Sequence, residues 1–335
     1  MIEGFGRLAR SKLTVSKLAA DRRAITLPAS GEMPIIGAGR HSSEGVSYPR
    51  TIVRALRPAQ WLKNGLVFAG LVFGGKLFDL PALANAILAA GAFCLLSSGF
   101  YLINDVRDVN ADRLHPVKRF RPVAAGEISP VVAGSVGVFL IVVALAVSGL
   151  LSPGLFLVLL AYTCLMAMYN LGLKQIVIVD VFVIAGGFVL RAVGGAVAVQ
   201  VSISPWLLIC TMLLALLIGF GKRRHELGAL ENAGQHRRNL DVYSRPMLDQ
   251  SVAVTAAGTL IAYAMYTFDS DSAQYHRRMM LTIPMVAYGV FRYLYLLHHG
   301  GQGGAPETML ITDRPLLAAV ALWSICSALL FYSGG

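Results

Sequence analysis

Residues 104–122, NDVRDVNADRLHPVKRFRP, crowd oxygen ligands and cations into one short segment of an otherwise apolar chain. Asn104, Asp108 and Asp112 recur every four residues, and Asp105 adjoins the first. On a helix this spacing sets three oxygen-bearing side chains a turn apart along one face. Hard cations such as Mg²⁺ take such oxygens, usually through one or two carboxylates plus the phosphates of a substrate. The following residues, His115 to Pro122, include two prolines that keep them out of a regular helix. Lys118, Arg119 and Arg121 therefore return on a loop beside the acids. Acids alone would bind a metal, and cations alone would mark topology. Together they suit a diphosphate bridged by metal and clamped by Arg and Lys.

The elements that must position this segment are membrane helices. The chain of 335 residues is 56% hydrophobic and only 14% charged, with mean hydropathy +0.64; a soluble domain carries roughly a quarter charged residues. Residues 131–173 hold no charge and divide at Ser152-Pro153-Gly154 into two runs, each near the ~20 residues a bilayer core requires. The spans expected are 64–80, 82–104, 131–150, 154–171, 180–200, 205–221, 250–268, 279–298 and 315–333, nine in all. The fold class is an all-α polytopic membrane protein, with a catalytic domain over 50–335. Residues 1–49 mix seven cations with Gly, Ser and Pro and lack a long apolar stretch. They are expected to form a disordered cytoplasmic tail rather than a secretory signal.

Lys and Arg collect on one side: Arg107, Arg113, Lys118, Arg119, Arg121, Lys174, Lys222, Arg223, Arg224, Arg237, Arg238 and Arg245. The positive-inside rule makes that side cytoplasmic, with the N-terminus in and the C-terminus out. The formal charge of +11 is thus a topology signal, and no nucleic-acid partner is expected. Cys94, Cys164, Cys210 and Cys326 are scattered singly in apolar spans without metal or disulfide spacing.

NDxxDxxxD at the end of a span, followed by RP and a Gly, resembles the UbiA superfamily of intramembrane prenyltransferases over residues 55 to 333. The resemblance implies nine helices around a central cavity capped by cytoplasmic loops. It also implies a bacterial inner (cell) membrane location and Mg²⁺ held by Asn104, Asp105, Asp108 and Asp112. Tyr169 and Lys174 resemble the family's Tyr–Lys signature. The chain departs from the aromatic members after the sixth span, where GKRRHELG replaces a second Asp-rich motif. With RPAQWLKN at 57–64, that departure is similar to the branch that moves phosphoribose onto a polyprenyl phosphate for cell-wall arabinan precursors. Phosphoribosyl diphosphate would be the donor and a polyprenyl (decaprenyl) phosphate the acceptor. Asp105, Asp108 and Lys174 would form the catalytic set. Gln60, Lys63, Lys118, Arg121, Tyr169, Lys174, Asp180, Arg191, Lys222, Arg223 and Arg224 would bind substrate.

Asp180 and Arg191 lie 11 residues apart, about three helical turns, so they share a face about 16 Å from each other along the axis. An Arg inside the bilayer must meet a partner or a cavity. Gly186, Gly187, Gly194 and Gly195 read as close helix packing. His298 and His299 lack a third ligand for zinc. Two other functions fit the same elements: an aromatic or quinone-type prenyltransferase, and a transporter of a phosphorylated anion. Association of copies into a homo-oligomer is compatible with the sequence.

Overall fold

Three membrane helices begin alike, with a side-chain cap followed by proline. Asp79 accepts from the Ala82 amide at 3.1 Å, Ser129 from Val132 at 3.2 Å and Ser152 from Leu155 at 3.1 Å. Each cap satisfies an amide the helix start would leave orphaned, and the proline needs none. In the computed structural model, residues 48–231, 243–268, 278–299, 309 and 312–332 are described. Residues 1–47, and Arg237 and Arg238 counted for orientation, lie outside them.

Among the described residues the chain consists of helices joined by turns, with no strand. It runs through α1 (Tyr48–Leu56), a 3₁₀ segment (Pro58–Phe68), α2 (Ala69–Phe73), α3 (Leu80–Arg107) and α4 (Val109–Leu114). It continues through α5 (Pro130–Leu151), α6 (Pro153–Leu171), α7 (Val179–Val199) and α8 (Pro205–Glu231). The last elements are α9 (Arg245–Phe268), α10 (Ile283–His299) and α11 (Arg314–Tyr332). Seven helices among the described residues are long and apolar enough to cross a membrane, with a shorter apolar helix at Arg314–Leu330. The all-α polytopic reading holds, with seven of the nine expected spans present as such helices among the described residues.

The main difference is the first expected span. Residues 64–80 do not form one α-helix; they are divided between the 3₁₀ segment, α2 and a turn. The 3₁₀ period of three is visible in burial, since Asn64, Val67 and Gly70 are buried. At about 2.0 Å per residue the 3₁₀ segment is stretched, and with α2 it covers roughly 30 Å, still comparable to a bilayer core. Its inner face meets α7 backbone to backbone. A Cβ on Gly195 would stand 1.8 Å from the Val67 carbonyl oxygen, and one on Gly70 2.6 Å from the Ala196 Cα. No side chain fits either place, which explains the small residues on α7 by packing. The other spans start and end within a few residues of expectation, except that α8 runs ten residues past 221.

Helices α3 and α7 are the most enclosed spans, with 61% and 56% of their apolar windows buried. By contrast α5 and α6 bury 22% and 17%, so they turn most of their surface outward. A core of Phe93, Leu96, Phe100, Leu155 and Leu159 joins α3 to α5 and α6. A second, with Val181, Leu217, Phe220 and Leu248, joins α7 to α8, α9 and α10. The two central helices are those that carry the acidic residues of the sequence reading.

Candidate active site

Helix α3 ends at Arg107, and Asp108 stands at the junction with α4. The four-residue ladder nevertheless continues: the Asp108 amide donates to Asn104 at 2.9 Å, and the Asp112 amide to Asp108 at 2.8 Å. The side chains do not act as one row. Over eight residues a helix drifts by about 80°, whereas over seven it returns to within about 20°. Accordingly Asp105 pairs with Asp112, and Asn104 with Asp108.

Arg121 holds the first pair. Its NH1 donates to Asp105 Oδ1 at 3.1 Å and to Asp112 Oδ2 at 2.6 Å. Arg57, left-handed at φ 55°, brings a second guanidinium to Asp105 Oδ1 and stacks over Tyr101. Both carboxylates are almost wholly buried. Lys174 holds the second pair. Its ammonium lies 2.9 and 3.0 Å from the two Asp108 oxygens and 3.4 Å from Asn104 Oδ1. The acids on α3–α4 are thus interleaved with cations from three other segments.

These residues also test the implied metal. Among the described residues, no three His, Cys, Asp or Glu side chains group so as to hold an ion between them. Asn104 and Asp108 do converge on one cation, the Lys174 ammonium, which stands where a small hard ion would find the same oxygens. That donor set fits a Mg²⁺ that draws its other ligands from water and a diphosphate, and does not fit a protein-only cage.

A second polar group gathers where α7 starts and α8 ends. Arg223 NH2 lies 2.7 Å from Asp180 Oδ2, and NH1 donates to Glu226 Oε2 at 2.5 Å. Tyr169 stands near the end of α6. The Tyr243 hydroxyl accepts from the Ile178 amide at 2.6 Å and donates to Asp180 Oδ1 at 3.0 Å. Burial pushes that hydroxyl up to about 12, and the Asp180 carboxylate adds to the rise, so it remains a donor. Ile178 itself has φ 69°, strained for a β-branched residue. Its amide is fixed by this one phenol.

Residues 65–221 match the model of the UbiA prenyltransferase family. A decaprenyl-phosphate phosphoribosyltransferase of Mycobacterium tuberculosis is 34% identical over 278 residues, covering 81% of this chain and 91% of that protein. The protein of the same name from Corynebacterium glutamicum is 33% identical, covering 84% and 86%. The chain belongs to the UbiA prenyltransferase family. A UbiA homolog from Archaeoglobus fulgidus, solved bound to GPP and Mg²⁺, shares the fold, with TM-score 0.67 and 19% identity over 84% of this chain and 99% of that one.

Within this UbiA fold, the remaining residues singled out from sequence occupy three places. Gln60 and Lys63 are one 3₁₀ turn apart on the 58–68 segment, half-buried. Lys118 lies on the 118–120 turn, where the His115 ring accepts from its backbone amide at 3.3 Å, three residues before Arg121. Lys222 precedes Arg223 on α8. Arg224 is not brought to the Asp180 group: it pairs with Asp249 of α9 and donates to the Leu297 carbonyl of α10 at 3.1 Å. Arg191 is enclosed deep in α7 among Asn64, Gly187 and Tyr162. Sequence reasoning missed Tyr243 and the direct contact of Arg57 with Asp105. The RPAQWLKN stretch did signal Arg57; no spacing signalled Tyr243, which lies 63 residues from Asp180.

Proposed function

We propose that this chain transfers 5-phosphoribose from phosphoribosyl diphosphate to a polyprenyl phosphate. An acceptor phosphate oxygen bonds to the anomeric carbon, the bond from that carbon to the diphosphate oxygen breaks, and diphosphate leaves. The observation that carries this reading is that the acids of α3–α4 are accompanied by the cations Lys222 and Arg223 at the end of α8, and not by a second Asp-rich motif. The names and coverage of the mycobacterial and corynebacterial relatives support it.

Asn104 and Asp108, backed by Asp105 and Asp112, would hold Mg²⁺, whose charge makes diphosphate a better leaving group. Arg57, Arg121 and Lys174 already stand beside those oxygens and are placed to take up phosphate. Gln60, Lys63 and Lys118 would add further phosphate and ribose contacts. Tyr169, Asp180 and Arg223 would shape the ribose and diphosphate pocket, with Asp180 oriented by Tyr243. The reacting carbon passes through an oxocarbenium-like state, which these fixed charges stabilise. A phosphate acceptor has a second pKa of about 6, so it attacks as an anion and needs no strong base. The site would face the cytoplasm, the lipid tail would lie among the helices, and the product would feed cell-wall arabinan synthesis. The direct test is transfer of label from phosphoribosyl diphosphate into extractable decaprenyl phosphoribose by the purified protein in liposomes. Absence of labelled lipid from folded protein defeats the reading.

A further inference from the structure

Arg191 is 5% exposed on a membrane-spanning helix, and its hydrogen-bonding partners among the described residues are all neutral. Nε donates to Asn64 Oδ1 at 2.7 Å, NH1 to the Gly187 carbonyl at 2.9 Å, and NH2 to the Tyr162 hydroxyl at 2.8 Å. The rings of Tyr162 and Phe188 lie 4.9 and 5.4 Å from the guanidinium carbon. All three nitrogens donate to protein groups, both neighbouring rings lie against the cation, and at 5% exposure little of the guanidinium is open to a ligand.

The far end of this arrangement is the 3₁₀ segment. The Asn64 amide nitrogen donates onward to Cys94 Sγ at 3.1 Å and Ser97 Oγ at 3.5 Å on α3. Asn64 therefore fastens the segment to both central helices at once. Toward the start of the segment, Trp61 donates to Ser98 Oγ at 3.0 Å, and Ser98 to the Leu56 carbonyl at 2.9 Å. Arg57, at the head of the segment, reaches Asp105 of α3. A 3₁₀ helix of eleven residues is long for its kind and weakly bonded internally. Its register against α3 has to be fixed from outside, and Arg191 supplies the tie to α7.

We propose that Arg191 is a positioning residue. By holding Asn64 it sets the register of the 3₁₀ segment, and so the placement of Arg57, Gln60 and Lys63 toward the donor diphosphate, without touching substrate. This revises the direct substrate contact expected from sequence. The kinetic part of the inference rests on the phosphoribosyl-transfer reading; the structural part does not.

The test uses the full chain in liposomes, with Trp206→Phe and Trp323→Phe so that Trp61 of the 3₁₀ segment is the sole reporter. Arg191→Met should lower Trp61 fluorescence anisotropy without substrate. It should also raise donor KM by about tenfold, the worth of one misplaced charge-assisted contact, while acceptor KM stays within about twofold. Arg191→Lys, which can still donate to Asn64, should restore most of the anisotropy and part of the donor KM. Asn64→Asp keeps the acceptor for Arg191 but loses the amide donations to Cys94 and Ser97, so it should preserve the tie to α7 and hold anisotropy and donor KM closer to wild type than Arg191→Met does. A merely structural Arg191 would show lowered yield in Arg191→Met with anisotropy and KM unmoved, which overturns the proposal. Loss of polyprenyl phosphate binding in a folded Asn64→Asp protein with ordered Trp61 also overturns it, because Arg191's charge would then meet an anion directly. Should Arg191→Met fail to fold, the contrast between Arg191→Lys and Asn64→Asp decides. If the parent protein transfers no phosphoribose, the functional reading fails alone, and the anisotropy of the variants still decides the positioning role.

Discussion

Arg223 and Arg224 are neighbours in sequence, and the structure gives them different work. Arg223 faces Asp180 and Glu226, whereas Arg224 ties α8 to Asp249 of α9 and the Leu297 carbonyl of α10. Replacing each separately by Ala therefore separates binding from scaffold. The two ion pairs of Arg223 use NH1 and NH2, and a guanidinium has five donors, so it can also reach a phosphate. Losing one charge-assisted contact of that kind costs about 1.5–3 kcal/mol, or roughly 10- to 150-fold in donor kcat/KM. Arg224→Ala removes a half-exposed pair and one carbonyl contact, worth about 1 kcal/mol of stability. Its effect on donor KM should be far smaller. The assay is steady-state transfer in liposomes with donor varied at saturating polyprenyl phosphate, alongside thermal unfolding of each variant. Equal donor kcat/KM for the two folded variants would refute the division, and an unchanged value for Arg223→Ala would return the basic end of α8 to a topology signal.

Asp108→Asn should lose most activity and raise the Mg²⁺ concentration needed for half-maximal turnover, with the helical content unchanged; full activity in a chelator would remove the metal role. Tyr243→Phe orphans the Ile178 amide and frees Asp180, so it should lower thermal stability by about 1 kcal/mol and reduce kcat/KM. Because the folded Tyr243 hydroxyl is raised to about 12, above the roughly 10 of an unfolded tyrosine, its contribution is intact below pH 10. It is lost as pH rises from about 10 to 12. The fall in melting temperature over that interval should be shallower in Tyr243→Phe than in wild type. Deleting residues 1–45 should leave turnover nearly unchanged, since none of the assigned side chains lies there; a large loss at normal expression would give the tail a role.

The spans were legible because a charge-free run near bilayer length has few other uses, and side-chain caps before prolines fixed where several begin. The 3₁₀ segment was not legible: over eleven residues a period of 3.0 is hard to separate from 3.6, and Pro58 is compatible with either helix. Asp105, Asp108 and Asp112 were legible as a cluster through their spacing. How they divide was not, since Arg57, Arg121 and Lys174 arrive from other segments and choose among the oxygens. Arg224 looked equivalent to Arg223 because both are cations at a helix end; the 100° between adjacent helical residues separates them. Tyr243 contributes through a contact with the far-off start of α7, which no local pattern announces.

One site is proposed to move phosphoribose from phosphoribosyl diphosphate onto a polyprenyl phosphate, with diphosphate leaving. This transfer is tested most directly by measuring diphosphate release from phosphoribosyl diphosphate by the purified chain in liposomes, with and without decaprenyl phosphate and with Mg²⁺ or a chelator. Release should occur only when acceptor and Mg²⁺ are both present, in equal amount to the phosphoribosyl lipid formed. Release independent of the lipid, or none from this donor while a prenyl diphosphate is consumed with an aromatic acceptor, would contradict it.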